Sequence, residues 1–198
     1  MEFEFWKDIT IRVDEDIKEG LTKLEFGIPL KHLDFTNFVE LRDGCIFLLI
    51  WETGIRLGTV SRVTEDMVDF KDKLIHYTGE SMKNRKRLSL PLSDVLLEML
   101  RVLMRVNKTV LKHNKLEPDQ HYLFISSLGN LMDSRSFGKR VYRYKKLTGF
   151  KNINSHPIRC GFSKRLLDKG VNIATISKAL NHKRIYTTTR QLHIGMKK

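Results

Sequence analysis

The chain has 198 residues, of which 41% are apolar and 9% aromatic, and its 36 Lys and Arg against 23 Asp and Glu give a formal charge of +13. This balance excludes a disordered chain, and the length suits one domain with a substantial core. The positive charge favours a polyanionic partner, most commonly nucleic acid, over a basic protein with no such partner.

Cysteine usage and hydropathy indicate the compartment. Cys45 and Cys160 are far apart and stand outside any CxxC spacing, so we expect free thiols in a reducing environment. No apolar run approaches the ~18 residues of a membrane span. The first residues lack a basic segment followed by an apolar one. We therefore expect a cytoplasmic protein with no membrane partner.

The first half of the chain predicts helices followed by a hairpin. Residues 1–30 mix charged and apolar positions without a sustained period, which predicts an extended lead-in or linker, and residues 31–198 then form one domain. Apolar positions from Phe35 to Trp51 predict a buried helix. A break at Gly54 follows, and a short helix could run from Arg56 toward residue 62.

The middle of the chain predicts a small sheet and a long helix. Leu74–Tyr77 and Leu88–Leu92 have the composition of two hairpin strands, joined by a polar and basic turn. Ser93 would cap a long helix whose apolar stripe fades at Asn107. Tyr122–Ile125 predicts a short strand or an extended stretch.

Helices dominate the remainder. Ser134 would open a basic helix, a second helix from about Pro157 to Lys169 would stop at Gly170, and a third would run from Ile173 to Leu180. A basic tail follows. The predicted fold class is mainly α with a small β-sheet (α+β).

The first candidate for chemistry is Arg56, which follows Thr53 and Gly54 at the break between two helices. Glycine permits backbone angles that other residues avoid, so the arginine can be aimed into a cleft. A surface arginine without a special role is the alternative interpretation.

A second candidate lies near the other end, where His156 and Arg159 stand one helical turn apart. Ser155 and Pro157 would start their helix, and both side chains would project from one face at the positive end of the helix dipole, where an anion binds well. A capping histidine beside a solvated arginine is the alternative. Two arginines and a histidine around one phosphate would permit phosphodiester chemistry without a metal.

Four motifs in order carry a family resemblance: Thr53-Gly54-Ile55-Arg56, the strand Leu88–Leu92, His156-Pro157-Ile158-Arg159 and Leu180-Asn181-His182. Their order and spacing resemble the catalytic domain of the tyrosine recombinase family, which includes phage integrases and related transposases. The resemblance runs from about residue 34 to residue 193.

The resemblance implies a role for each motif residue. Arg56 and Arg159 would grip the non-bridging oxygens of the scissile phosphate, and His182 would hydrogen-bond it. His156 would assist proton transfer. Lys83 in the hairpin turn would protonate the 5′-hydroxyl leaving group, with Lys86 as the alternative. DNA contacts outside this centre are expected from a further set of basic residues: Lys86, Arg87, Lys139, Arg140 and Arg143.

The chain departs from the family at the nucleophile. Thr187-Thr188 and His193 place Gln191 where the family has its tyrosine, and glutamine cannot form a phosphodiester with DNA. Tyr186, five residues earlier, is the alternative nucleophile, although packing or backbone contact is its more ordinary role. Three explanations stay open: an inactivating change, a natural binding-only relative, or attack by another tyrosine.

Taken together, these motifs predict site-specific DNA cleavage and rejoining, as in recombination and integration, through a 3′-phosphotyrosine. Gln191 should block that step in this chain. A non-catalytic DNA-binding relative is the alternative, ahead of a type IB topoisomerase-like enzyme or a basic domain without a DNA role. We expect no nucleotide, cofactor or metal, because the sequence has neither a P-loop nor a tight carboxylate cluster.

The family resemblance also implies partners and further parts. The expected partner is double-stranded DNA. Copies of the chain are expected to associate on that DNA, and the family's assembly is a tetramer. A separate N-terminal DNA-clamping domain is also usual in the family, and we expect it to be absent here because 198 residues leave no room for one.

Overall fold

The computed structural model describes residues 20–77, 87–117, 121–182 and 184–192. These ranges form eight α-helices and one antiparallel three-stranded sheet, which confirms the predicted fold class. The helices are α1 Lys23–Lys31, α2 Phe38–Thr53, α3 Leu57–Val60, α4 Asp94–His113, α5 Ser134–Thr148, α6 Ser155–Asp168, α7 Ile173–Ala179 and α8 Ile185–Gln191. The strands are β1 Val68–Asp69, β2 Leu74–Tyr77 and β3 Leu88–Pro91, in the order β1-β2-β3.

Helix α2 is the centre of the domain. Asn37 starts it by accepting hydrogen bonds from the backbone N–H groups of Val39 and Glu40. Most of its side chains from Leu41 onward are buried, and α4, α6, α3 and β3 pack around it. A helix that is apolar on nearly every face has to lie inside the protein. The buried helix predicted from Phe35 to Trp51 is therefore confirmed, with its start at Phe38.

Helix α4 is fastened to the end of α2 by its cap. The Ser93 hydroxyl accepts a hydrogen bond from the Leu96 N–H and donates one to the Glu52 carboxylate at 2.6 Å. The predicted apolar stripe is buried against the core. The helix continues past Asn107, which is buried and donates to the Leu123 carbonyl at 3.0 Å, so a polar residue there does not end it.

The predicted hairpin is present, with Ile75 opposite Leu90 and Tyr77 opposite Leu88. The short edge strand β1 was not predicted, because two residues are too few to show an alternating pattern. Tyr122–Ile125, expected to be a short strand or an extended stretch, instead contains a bend at Leu123 and Phe124 between isolated bridges at Tyr122 and Ile125. Lys83 and Lys86 lie outside the described residues.

The prediction of an extended lead-in up to residue 30 is wrong for Lys23–Leu30, which form most of α1. Thr22 and Glu25 cap this helix reciprocally, a signal that the sequence carried. The Phe26 ring stacks on Trp51 at 4.2 Å, and the Arg165 guanidinium lies 3.4 Å from the centre of the Trp51 ring. The segment is therefore part of the core.

A buried ionic cluster joins α2 to α5. Asp43 is fully buried and accepts hydrogen bonds from Arg140 Nε at 2.5 Å, from the Tyr144 hydroxyl at 2.8 Å and from the adjacent Arg42. Arg42 is also buried and donates to the Ile125 carbonyl. Two arginines share this one carboxylate, and their remaining donors reach neutral acceptors, the Ile125 carbonyl for Arg42 and the Ser136 hydroxyl for Arg140.

The cluster revises one predicted DNA contact. Arg140 was expected to reach DNA, but the structure directs its guanidinium inward onto Asp43, with 17% of the side chain exposed. Lys139 and Arg143, its neighbours on α5, are exposed. Periodicity alone did not separate Arg140 from them, because the burial of an arginine depends on a carboxylate distant in sequence.

Candidate active site

Arg56 stands at a sharp turn that Gly54 creates. Helix α2 ends at Gly54, whose φ of +63° lies in the left-handed region, as the sequence predicted. The Thr53 hydroxyl donates to the Leu49 carbonyl and closes the last turn. Arg56 follows in extended backbone as the N-cap residue of α3, and its side chain is exposed. The arginine therefore leaves the direction of α2, as expected.

His156 and Arg159 lie on the first turns of α6. Asn154, rather than Ser155 or Pro157, is the N-cap, and its side chain accepts a hydrogen bond from the His156 N–H at 2.9 Å. Pro157 is tolerated because the first turn of a helix has no carbonyl partner for its missing N–H. His156 is exposed, whereas Arg159 is only 5% exposed.

The Arg159 guanidinium is held by three acceptors from two other parts of the chain. It donates to the Gly54 carbonyl, to the Leu180 carbonyl at 2.6 Å and to His182 Nε2 at 3.0 Å. The other ring nitrogen of His182, Nδ1, lies 2.8 Å from the Thr188 hydroxyl. These contacts join the end of α2, the end of α7 and α8 around one cation.

Burial and mutual repulsion shift the pKa values of these cations. Burial, with the neighbouring charge of Arg56 adding to it, lowers the pKa of Arg159 to about 9, so the group stays protonated at neutral pH. Arg56 is exposed at the mouth of the cleft, but the protein atoms around its guanidinium remove part of its solvation, which lowers its pKa as well. Burial, and then the charges of Arg159, Arg56 and His156, lower the pKa of His182 to about 4. His182 is therefore neutral at pH 7.

One cleft of about 240 Å³ collects five of the predicted catalytic residues. Its lining consists of Arg56, His156, Arg159, His182 and Gln191, together with Ile55, Leu57, Ser155 and Thr187. Lys83, the sixth, lies outside the described residues. The sequence thus identified residues that the fold brings together, while the roles assigned to them stay predictions.

Gln191 occupies a defined position in this cleft. It is the last residue of α8, and its side-chain amide donates to the Ser163 hydroxyl at 2.6 Å. Ser163 is buried and donates in turn to the Arg159 carbonyl. Tyr186, the alternative nucleophile, is 69% exposed and is not among the residues lining the cleft.

A larger cavity of about 410 Å³ lies between α4 and the segment around residues 121–131. None of the predicted site residues lines it; its wall includes Glu65, Asn107, Lys108 and His121. The size of a cavity therefore does not locate the cationic centre here, and the smaller cleft is the candidate active site.

Sequence reasoning missed the groups that hold the centre in place. Ser163 carries no pattern that separates it from an ordinary helix residue, Thr188 served in the sequence only as an anchor for position 191, and the carbonyls of Gly54 and Leu180 belong to the backbone. The only sequence signal was indirect: a buried arginine needs acceptors nearby. Arg87, Lys139 and Arg143 are exposed, as a DNA contact requires, and Lys86 lies outside the described residues.

The described residues show neither a metal-binding cluster nor a membrane-spanning helix. Within the described ranges, no cluster of three or more His, Cys, Asp or Glu side chains has a geometry that could hold a metal ion. Over the same residues, no helix combines the length and apolar character needed to cross a membrane.

Comparison with known proteins gives the family. Residues 30–197 match the model of the phage integrase family. The chain belongs to the phage integrase family. The tyrosine recombinase XerC of Chlamydia trachomatis is 26% identical over 190 residues, which cover 94% of this chain and 57% of the relative. The tyrosine recombinase XerC of Thermodesulfovibrio yellowstonii is 27% identical over 162 residues, which cover 81% of this chain and 53% of the relative. The chain therefore spans a little over half the length of these curated relatives.

Solved structures share the integrase fold. XerA recombinase superposes with a TM-score of 0.72 at 19% identity, covering 89% of this chain and 58% of that one. The Tn1549 transposon integrase in complex with transposon right-end DNA superposes with a TM-score of 0.69 at 19% identity, covering 96% of this chain and 66% of that one. These structures share the fold, and the match of residues 30–197 to the family model confirms the predicted family resemblance.

Gly54→Ala tests the turn that positions Arg56 and Arg159. We expect it to lower the free energy of unfolding by about 2–5 kcal/mol, because a left-handed alanine costs about 1–2 kcal/mol and overpacking about 1–3 more. The added methyl would meet Phe162 and would lie 2.9 Å from a Leu180 methyl. Urea unfolding measures the loss.

Gly149→Ala is the matched control for that substitution. Gly149 also ends a helix, with φ +67°, but nothing lies within 4 Å of an added methyl. We expect it to cost only the backbone strain, about 1–2 kcal/mol. Equal losses in the two variants would contradict the close packing at Gly54.

The pKa of His182 predicts a dependence of stability on pH. Its folded value of about 4 lies below its ordinary value of 6.5, so between these values the unfolded chain binds more protons. The stability that neutral His182 contributes is therefore fully present above its ordinary pKa of 6.5 and is lost as the pH falls toward its folded pKa of about 4. We expect His182→Gln to reduce the loss between about pH 7 and about pH 4 by on the order of 2 kcal/mol. Urea unfolding at both pH values measures this; parallel losses in both proteins would contradict it.

Proposed function

We propose that this chain is the catalytic domain of a tyrosine recombinase, built to cut and rejoin duplex DNA at a specific site, in which Gln191 blocks the covalent step. The observation that carries the proposal is the single cleft in which Arg56, Arg159, His182 and Gln191 meet. The chain spans only part of its relatives, so the activity of the whole protein is part of this proposal.

A DNA phosphate would bind in the cleft between the two arginines. Arg56 comes from the turn after α2 and Arg159 from α6, so they can reach different non-bridging oxygens. Negative charge grows on these oxygens as the phosphorus becomes five-coordinate, and donors held in place beforehand stabilise that state. Losing one such donor costs about 3–4 kcal/mol in other enzymes. Metal-free phosphoryl transfer is therefore within the capacity of these residues.

The nucleophile would act from position 191 at the end of α8. A tyrosine there would attack the phosphorus, form a 3′-phosphotyrosine and release the 5′-hydroxyl, which the reverse reaction uses to rejoin the strand. His156 would assist proton transfer, and Lys83 would protonate the leaving oxygen. Gln191 has no hydroxyl to attack with, so the chain should stop at binding.

A second candidate is a binding-only relative that occupies recombination sites. One observation favours it: the Gln191 amide is held at 2.6 Å from Ser163, so the glutamine fits its surroundings as a packed residue. In both candidates the exposed Arg87, Lys139 and Arg143 contribute to DNA contact. We also propose self-association on DNA, which follows from the family resemblance alone.

Gln191→Tyr tests the first candidate. We expect the chain as it stands to leave supercoiled plasmid unchanged without metal or nucleotide, and the tyrosine variant to relax it, because only that variant supplies a hydroxyl at the cleft. The variant should also form a protein–DNA adduct that survives denaturation. Gel electrophoresis measures both products, and no known target site is required.

Gln191→Phe is the matched control, because it adds the ring without the hydroxyl and should remain inactive. Relaxation by the unaltered chain would contradict the assignment of position 191, and Tyr186→Phe would then identify the other nucleophile. If the tyrosine variant binds DNA without relaxing it, the binding-only candidate replaces the first.

Arg56→Gln tests phosphate binding in the cleft. Arg56 is exposed and makes no capping hydrogen bond through its side chain, so the fold should tolerate the change. We expect weaker binding to duplex DNA. We also expect the slope of the logarithm of the binding constant against the logarithm of the salt concentration to fall by about one. Fluorescence anisotropy at several salt concentrations measures it. Arg105→Gln, which removes an exposed arginine of α4 outside the cleft, is the control; equal effects would contradict a phosphate site at Arg56.

A further inference from the structure

The contacts of His182 determine which of its nitrogens carries the proton. A guanidinium has only N–H donors, so His182 Nε2, 3.0 Å from Arg159 Nη2, must present a lone pair. His182 is neutral at pH 7, and its single ring proton must then sit on Nδ1. Nδ1 lies 2.8 Å from the Thr188 hydroxyl oxygen, which is free to accept it. The geometry thus selects one of two tautomers.

Thr188 is placed to impose that choice. It is fully buried on α8, three residues before Gln191, and it is not among the residues lining the cleft. The neighbouring Thr187 does line the cleft. Among the described residues, the side-chain hydrogen bond that links Thr188 to the centre is the one to His182. The short helix that carries Thr188 also carries Gln191.

We propose that Thr188 is a positioning residue that holds His182 in the Nδ1–H tautomer, so that Nε2 accepts from Arg159 and fixes the guanidinium at the phosphate position. The inference rests on the proposed function only in taking Arg159 as a phosphate ligand. It assigns a role to the hydroxyl of Thr188 that neither the sequence pattern nor the cleft lining reveals.

The alternative arrangement shows why the choice matters. With the proton on Nε2, the ring would point an N–H at the Arg159 N–H, and two donors would face each other at hydrogen-bond distance. Arg159 would then lose one of its three acceptors while still buried, which is costly for a charged group. It would have to turn away from Leu180 or His182, and a displaced arginine would be misaligned with a phosphate in the cleft.

Nitrogen NMR of the histidine side chains reads the tautomer directly. The chain has seven histidines, and His182→Asn identifies the signals of His182. Without DNA at neutral pH, we expect the pattern of a neutral ring protonated at Nδ1. Thr188→Val should lose that pattern in favour of a mixture or the Nε2–H form, because valine keeps the shape without the acceptor, and Thr188→Ser should retain it.

Thr189→Val is the control on the same helix. The Thr189 hydroxyl donates to the Tyr186 carbonyl and does not contact His182, so the tautomer should be unchanged. A proton on Nε2 in the unaltered chain would overturn the proposal without any variant having to fold. An unchanged Nδ1–H pattern in Thr188→Val would overturn it as well.

The activity test uses the Gln191→Tyr chain as its background. There we expect Thr188→Val to slow plasmid relaxation about tenfold or more at saturating DNA, with a smaller change in DNA affinity, and Thr188→Ser to restore the rate. An unchanged rate together with an altered tautomer would overturn the positioning role. If the background itself is inactive, the proposed function fails at that step, while the DNA-free tautomer measurement still decides the role of Thr188.

Discussion

The buried guanidinium of Arg159 is the constraint on which the rest of the centre depends. Arg159 is only 5% exposed and, among the described residues, has no carboxylate as a hydrogen-bond partner, so its donors must be satisfied by neutral acceptors; the fold supplies two carbonyls and one imidazole. The acceptors come from two places, namely the Gly54 turn after α2 and the connection between α7 and α8 that holds Leu180 and His182. Placing one side chain therefore fixes both connections.

The electrostatics of the free cleft follow from the same arrangement. The described residues that line it include two arginines and two histidines, and none is acidic. Burial, and then the charges of Arg159, Arg56 and His156, lower the pKa of His182, which stays neutral at pH 7 as a result. An anion entering the cleft would relieve this repulsion, because opposite charges close to the cations favour their charged forms. Relief of this unfavourable charge would thus contribute to the proposed binding of a phosphate in the cleft.

Local chemistry explains which features the sequence could predict. The left-handed Gly54, the hairpin around the basic turn and the Ser93 cap each depend on a few adjacent residues, and each is present. The inward turn of Arg140 depends on Asp43, nearly a hundred positions away. The hydrogen bond from Gln191 to Ser163 likewise appears only once α8 is folded against α6, and the one between His182 Nδ1 and the Thr188 hydroxyl only once the residues before α8 fold back onto it. Sequence spacing identified the chemical groups, and tertiary packing determined their orientation.

The segment before α1 has a mechanical consequence. Its Leu21 N–H donates to the Pro157 carbonyl at 3.1 Å, and the Leu21 carbonyl lies so near Gly161 that a methyl there would come within 2.5 Å of it. The chain at residues 20–22 is thus attached to α6 between His156 and the middle of the helix. Tension applied upstream of Leu21 would act through these two contacts on α6, the helix that carries Arg159. A twisting force on the same segment would tend to rotate α6 and so move the residues that line the cleft.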